Sequence, residues 1–439
     1  MYHDLTRGNI SRALILFALP MIAGNLMQQF YNIADTLIVG RVLGRNALAA
    51  VGSAYTLMTF LNSVFLGLSM GSGALFSIYQ GRSDRAALKS GITHAAVLIF
   101  IITFIVNVAV FICIDSILGF LNVPEDVYEG MRLYLLIIFA GIMATSLYNF
   151  LASLLRALGN SSVPLIFLAV SAVLNIALDI LFVAFWNWGI GGAAVATVIA
   201  QYVSGIGILI YAFVSCRDLF ETRQERHFNK DILKDIWNMS SLTCAQQSVM
   251  NFGILMVQGL VNSFGAVIMA AFAAAVKIDT FAYLPVQDFG NAYSTFTAQN
   301  YGAGDRKRIE QGTKTAFMLS AVFSIVISLI VFIFARPLMG IFISSSETAV
   351  IAAGVKYLRI EGACYIGIGW LFLLYGYYRA VKRAGMSVVL TVISLGTRVL
   401  LAYVLSAFIG ETGIWMAIPI GWALADVTGI FFLVKSGHD

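Results

Sequence analysis

The chain is written in long apolar runs separated by short polar ones. A helix needs about 20 apolar residues to cross the hydrocarbon of a bilayer. Runs of that length fall near 14–39, 53–79, 92–114, 133–155, 163–186, 191–214, 237–261, 267–298, 315–335, 354–378, 386–409 and 413–434. None carries the period-two alternation of a strand, which argues against an outer-membrane barrel. The pattern therefore predicts an all-α integral membrane protein with twelve transmembrane helices. The first run, about 26 residues long, exceeds the core of a signal peptide and reads as the first span.

Composition agrees with this pattern. Apolar residues make up 60% of the 439 positions and charged ones 11%, against roughly 25% charged in a soluble domain. A chain this apolar has lipid for its solvent. The net charge of +5 is small, and its distribution says more. If the N-terminus, the even-to-odd loops and the C-terminus share one side, that side collects 19 of the 27 Lys and Arg, and the other collects six. By the positive-inside rule both termini are expected in the cytoplasm, with the chain a multi-pass protein of the inner (plasma) membrane. No run of basic residues with interleaved aromatics suggests nucleic acid. Cys113, Cys216, Cys244 and Cys364 lie far apart, and no CxxC pair or nearby His suggests a disulfide or zinc. His3, His94, His227 and His438 sit near span ends, and no HExxH, paired-His or Ser-nucleophile motif appears, so no enzyme activity is expected.

The halves repeat each other. Asp84-Arg85, Gly91 and Ala49-Ala50 recur 221 residues on as Asp305-Arg306, Gly312 and Ala270-Ala271. Arg156 recurs as Arg379 at 223, and Gly189-Ile190 through Gly205 recurs as Gly413-Ile414 through Gly429 at 224. Each half holds an even number of spans, so both enter the membrane the same way. This predicts two six-helix lobes related by a pseudo-two-fold axis along the membrane normal. The expected division is 1–216 and 237–439, joined by a basic amphipathic linker, 217–236, on the cytoplasmic face.

Ionisable side chains inside spans are costly and invite a functional reading. The first half has two, Asp35 in the first span and Asp179 in the fifth; Asn175, four residues earlier, shares a helical face with Asp179. With ~1.5 Å of rise per residue, Asp35, Asp179 and Thr197 all fall in one outer slab and can converge. Two carboxylates, an amide oxygen and a hydroxyl suit a small hard cation such as Na⁺. Two close carboxylates can equally share a proton. In the second half the equivalents of Asn175, Asp179 and Thr197 are Arg398, Ala402 and Gly421, so the set is not repeated there. Lys277, Asp279, Asp288, Glu361, Arg398 and Asp426 read instead as interhelical ion pairs with one or two spare carboxylates. Asp288 is the one expected nearest a substrate. Pro20, in the first span, removes a backbone hydrogen bond and can hinge the helix. Gln28, Gln29, Asn32, Tyr148, Asn149, Gln201, Gln247 and Met256 form a pool of amide, aromatic and thioether groups suited to amphiphilic small molecules.

These residues also carry a family resemblance. Leu19-Pro20 to Gly40, ending Ala34-Asp35-Thr36-Leu37-Ile38-Val39-Gly40, resembles the opening helix of the multidrug and toxic compound extrusion (MATE) exporters. Leu155-Arg156-Ala157-Leu158-Gly159-Asn160, Asn175 with Asp179, Gly189-Ile190-Gly191-Gly192-Ala193-Ala194 and Gln299-Asn300-Tyr301-Gly302-Ala303-Gly304 resemble later motifs, so the likeness covers the whole chain. It implies export of cationic and amphiphilic organic compounds coupled to H⁺ or Na⁺, with no cofactor, by a protein expected to be a monomer. In one prokaryotic branch the cation site and hinge match Asp35, Asn175, Asp179, Thr197 and Pro20. Another branch uses acidic residues of the seventh and tenth helices; here the seventh has none, and the tenth has Glu361. A lipid-linked oligosaccharide flippase of the same superfamily is the rival reading, for which Lys277 and Arg398 would have to supply a cationic cavity.

Overall fold

The structure is a computed structural model that describes residues 4–120, 123, 125–220 and 228–436. Among the described residues it is helical, without strands. The first half contains α1 (Ile10–Leu43), α2 (Arg45–Gly81), α3 (Arg85–Phe120), α4 (Glu125–Ala140), α5 (Ile142–Ala157), α6 (Ser162–Asp179) and α7 (Gly189–Ser215). The second contains α8 (Lys230–Asn262), α9 (Ala266–Ala303), α10 (Arg306–Phe342), α11 (Thr348–Gly362), α12 (Tyr365–Ala380), α13 (Ala384–Ile409) and α14 (Glu411–Ser436).

Fourteen helices make twelve spans, because the fourth and tenth runs each bend. Among the described residues, nine helices are long and apolar enough to cross a membrane, and two pairs qualify only together: α4 with α5, bent by 46°, and α11 with α12, bent by 51°. The 33-residue α8, more polar at its start, completes the set. Both bends fall where a helix hydrogen bond is easily lost. Gly141 separates α4 from α5, and Ala363-Cys364 follows Gly362 between α11 and α12. A Cβ at Gly141 would stand 2.1 Å from Gln201 Oε1, so a larger residue there would have to push that amide aside. The two bends occupy equivalent places in the sequence repeat. Most helices run past the apolar runs by a turn or more, since the backbone continues its hydrogen bonds through the interface.

The chain divides into two compact units, one comprising Leu19–Cys244 and the other Asp4–Ala18 with Ala245–Asp439. Within the first, α2 packs on α3, α4 and α5, α7 packs on α4 and α5, and α6 lies against α7. Within the second, α9 packs on α10, α11 and α12, α14 packs on α11 and α12, and α13 lies against α14. The pairings correspond helix for helix. The core of the first unit gathers Phe65, Phe139, Tyr134 and Leu135; that of the second stacks Phe272 on Trp415 and sets Tyr357 edge-on to both.

The start of the chain belongs to the second unit. Leu5 is fully buried, and Arg308 donates to the carbonyls of Leu5, Arg7 and Gly8, at 2.9 Å for the last two. Asn300 adds a bond to Leu5 O at 3.2 Å. The Gln299–Gly304 motif thus ends α9 with Gly304 in the left-handed region (φ +76°), and Asp305 caps α10 by accepting from Arg308 N. Of the expected linker, residues 221–227, with Arg223 and Arg226, lie outside the described residues. Lys230 and Lys234 already belong to α8.

Candidate functional site

Three helices of the first unit bring Asp35, Asn175, Asp179 and Thr197 into one buried pocket. α6 presents Asn175 and Asp179 on one face, 2% and 0% exposed. Asn175 donates from Nδ2 to Thr197 Oγ1 of α7 at 3.2 Å, and Thr197 donates onward to Ala193 O at 3.0 Å. This chain fixes the amide so that Asn175 Oδ1 faces away from Thr197. From α1, the Asp35 carboxyl comes within hydrogen-bonding reach of that of Asp179. Tyr31, hydrogen-bonded to Gln28, and Tyr134 of α4 stand beside both acids.

What distinguishes the pocket is that, among the described residues, no donor reaches four of its oxygens. Asp35 Oδ1, Asn175 Oδ1 and both carboxyl oxygens of Asp179 are buried with no hydrogen-bond partner. Buried acceptors are almost always satisfied, so four in one place require an explanation. Two carboxylates hydrogen-bond each other only when one carries a proton. Alternatively, the same oxygens with Thr197 Oγ1 offer an all-oxygen shell to a small hard cation. Among the described residues no Lys or Arg pairs with either acid.

Immediately after Asp179 the helix widens into a π-helical turn, Ile180–Phe185, in which Trp186 N bonds Leu181 O at 2.9 Å. Such turns recur at functional sites because they re-aim side chains within an otherwise regular helix. Nothing in the apolar run 163–186 signals the wider turn. Tyr134 was equally out of reach of the sequence, since only the packing of α4 brings it in. Tyr31 was legible, standing one helical turn before Asp35.

The other candidates disperse. Pro20 lies inside α1, which is continuous through it. Asn32 accepts a bond from Thr36 through its carbonyl, and Gln29 and Asn149 are half-buried. Tyr148 donates to Pro164 O at 2.8 Å. Gln201 Oε1 is buried without a partner against Gly141. In the second unit Gln247 and Asp288 are buried and Met256 is exposed.

The expected ion pairs of the second half do not form. Among the described residues no ion pair includes Lys277, Asp279, Glu361, Arg398 or Asp426. Tyrosines take that part instead. The Tyr365 hydroxyl donates to Asp279 Oδ1 in a short bond, and Tyr357 makes hydrogen-bonding contact with both Asp279 and Glu361. Arg398 is near enough to act on both acids electrostatically, but its Nε is buried unpartnered. Lys277 sits 5.8 Å from the Phe342 ring, and Asp426 Oδ1 has no partner. A tyrosine satisfies a carboxyl without the desolvation cost of a second full charge.

Comparisons with known proteins bear on the whole chain. A family model, MatE, matches residues 20–181 and 242–404. The chain is 30% identical to the probable multidrug resistance protein YpnP of Bacillus subtilis, over 98% of this chain and 96% of the relative. It is 25% identical to the probable multidrug resistance protein NorM of Thermotoga maritima, over 93% and 88%. Its fold matches a solved outward-facing multidrug resistance MATE transporter of the MOP superfamily with a TM-score of 0.93 at 22% identity, over 99% of this chain and 97% of that one.

Proposed function

The chain belongs to the MatE family of multidrug efflux transporters, and on that premise we propose that it exports amphiphilic and cationic organic compounds in exchange for H⁺ or Na⁺ bound at Asp35, Asn175, Asp179 and Thr197. The observation that carries the reading is the set of four buried, unpartnered acceptor oxygens in one pocket. A proton satisfies the contact between Asp35 and Asp179; Na⁺ would take Asp35 Oδ1, Asn175 Oδ1, the Asp179 oxygens and Thr197 Oγ1. Either cation cancels charge that is otherwise stranded in low dielectric. The pocket is complete within one unit of one chain, which supports a monomer as the working form. The 19-to-6 bias of basic residues supports an inner-membrane protein with both termini in the cytoplasm.

Pro20 would allow α1 to answer the state of its own Asp35, and Gln28, Gln29 and Asn32 lie on the same helix between them. Within the first unit, these residues with Tyr148, Asn149 and Gln201 stay the proposed drug contacts; in the second, taken by itself, they are Gln247, Met256 and Asp288. The test is drug efflux from proteoliposomes with ΔpH and ΔpNa imposed separately. One gradient should drive export in the parent, and Asp35→Asn and Asp179→Asn should abolish that export while inserting normally. Export at the parent rate by both variants would remove this pocket from the mechanism.

A further inference from the structure

A second constellation lies at the short break between α5 and α6. Arg156, in the last turn of α5, is half-buried, and its Nε is buried without a hydrogen-bond partner. Ser161, 2% exposed, immediately precedes α6; its side chain makes no capping bond, and its hydroxyl oxygen is also buried and unpartnered. Both line one cavity of ≈ 10 Å³, whose remaining wall includes Pro20 and Gly24 of α1 and Tyr148. No carboxylate lines it. The 18-residue α6 begins there, so the positive end of its dipole adds to the guanidinium.

The repeat supplies a control. Arg379, the counterpart of the half-buried Arg156, is buried, and it donates from Nη2 to Asn291 Oδ1 at 3.0 Å and from Nε to Ser294 Oγ at 3.4 Å. In the second half, protein oxygens answer the arginine. In the first, a cavity stands in their place, and among the described residues Arg156 makes no ion pair. The buried Nε of Arg156, with no acceptor, leaves one charged donor that an anion can satisfy.

We propose that this cavity binds a single small monovalent anion of chloride's size and charge, held by Arg156 Nε and the Ser161 hydroxyl at the N-terminus of α6. Helix N-termini favour anions; Asn160 Oδ1 already caps Val163 N at 3.1 Å, so the Ser161 hydroxyl and Arg156 Nε, both unpartnered on this cavity, are the donors left for one. A cavity with about the room of one water admits a halide once the flexible arginine shifts slightly, and excludes phosphates and organic acids. The site is separate from the carboxyl pocket and takes the opposite charge, so it stands independently of the exchange reading. Pro20 and Gly24 of α1 form one wall.

The probe is bromide. The purified full chain is melted in sodium bromide and in sodium gluconate at equal sodium, and its crystals are measured at the bromine absorption edge. The site predicts one anomalous peak within hydrogen-bond distance of Arg156 and Ser161, and a saturable rise in melting temperature in bromide. Ser161→Ala should weaken the apparent bromide affinity about tenfold, and Arg156→Gln should abolish the rise. If Arg156→Gln does not fold, Ser161→Ala and the parent crystal still decide. A cavity holding only water, equal melting in the two salts, or a bromide effect unchanged by Ser161→Ala would each overturn the assignment.

Discussion

Asp35 and Asp179 meet where no donor reaches them, so each is held by the fold against its own preference. Two ionised carboxyls in contact repel strongly in a low-dielectric interior. Converting one to an amide supplies the missing donor and removes a charge. Asp179→Asn should therefore melt at or above the parent's temperature, gaining about 1–3 kcal/mol from the satisfied acceptors, while transport is lost. A clear fall in melting temperature would mean that Asp179 holds the fold together and does not wait for an ion. Arg398 calls for the opposite experiment. It makes no ion pair, yet acts on Asp279 and Glu361. Arg398→Gln should destabilise by less than the ~3–5 kcal/mol of a broken buried pair. A double-mutant cycle with Glu361→Gln, read by thermal unfolding, should show coupling of roughly 0.5–3 kcal/mol. Strict additivity would place the guanidinium outside the electrostatics of that cluster.

Helix contacts are decided by glycine as much as by apolar area. Gly67 and Gly71, one turn apart on α2, lie against the first half of α8. A Cβ on Gly67 would stand 2.5 Å from Cys244 Cα, and one on Gly71 2.5 Å from Met239 O. Ser72 and Ser240 then bond across the same contact at 2.8 Å. Small residues let membrane helices approach this closely. Gly71→Ala should cost about 1–3 kcal/mol through overpacking and lower the folded yield. Gly52→Ala, on the same helix with nothing within 4 Å of the added atom, should instead stabilise by roughly 0.5–1 kcal/mol; thermal melting of both variants checks the contrast. Hydropathy reported where spans exist, because lipid imposes an apolar length on each helix whatever its neighbours. It did not report the breaks at Gly141 and at Ala363-Cys364, because the apolar runs continue across them. The π-helical turn after Asp179 was silent for the same reason.

The two halves share one scheme of helix pairing and differ in chemistry. The sequence repeat made the scheme legible, and the substitution of Asn175, Asp179 and Thr197 by Arg398, Ala402 and Gly421 made the loss of the pocket legible. The tyrosines that replace the expected ion pairs were not, since Tyr357 and Tyr365 carry no charge to flag them. The same holds for the assignment of residues 4–18 to the second unit, which follows from Arg308 grasping three backbone carbonyls. Arg308→Ala should speed amide hydrogen exchange across the first dozen residues; unchanged exchange would show that burial of Leu5 holds the segment alone.

If an ion at Asp35 and Asp179 and a drug elsewhere compete for one molecule, drug binding to the purified protein reports that competition. Affinity should be measured from about pH 5.5 to 8.5, with and without Na⁺, in the parent and in Asp35→Asn. Exchange requires negative coupling, so filling the pocket with protons or Na⁺ should weaken drug binding. A coupling of 1–3 kcal/mol corresponds to about 5- to 150-fold. Acid or Na⁺ should lower the parent's affinity within that range, and Asp35→Asn should be flat. A parent indifferent to both ions, or a variant that responds as the parent does, would contradict it.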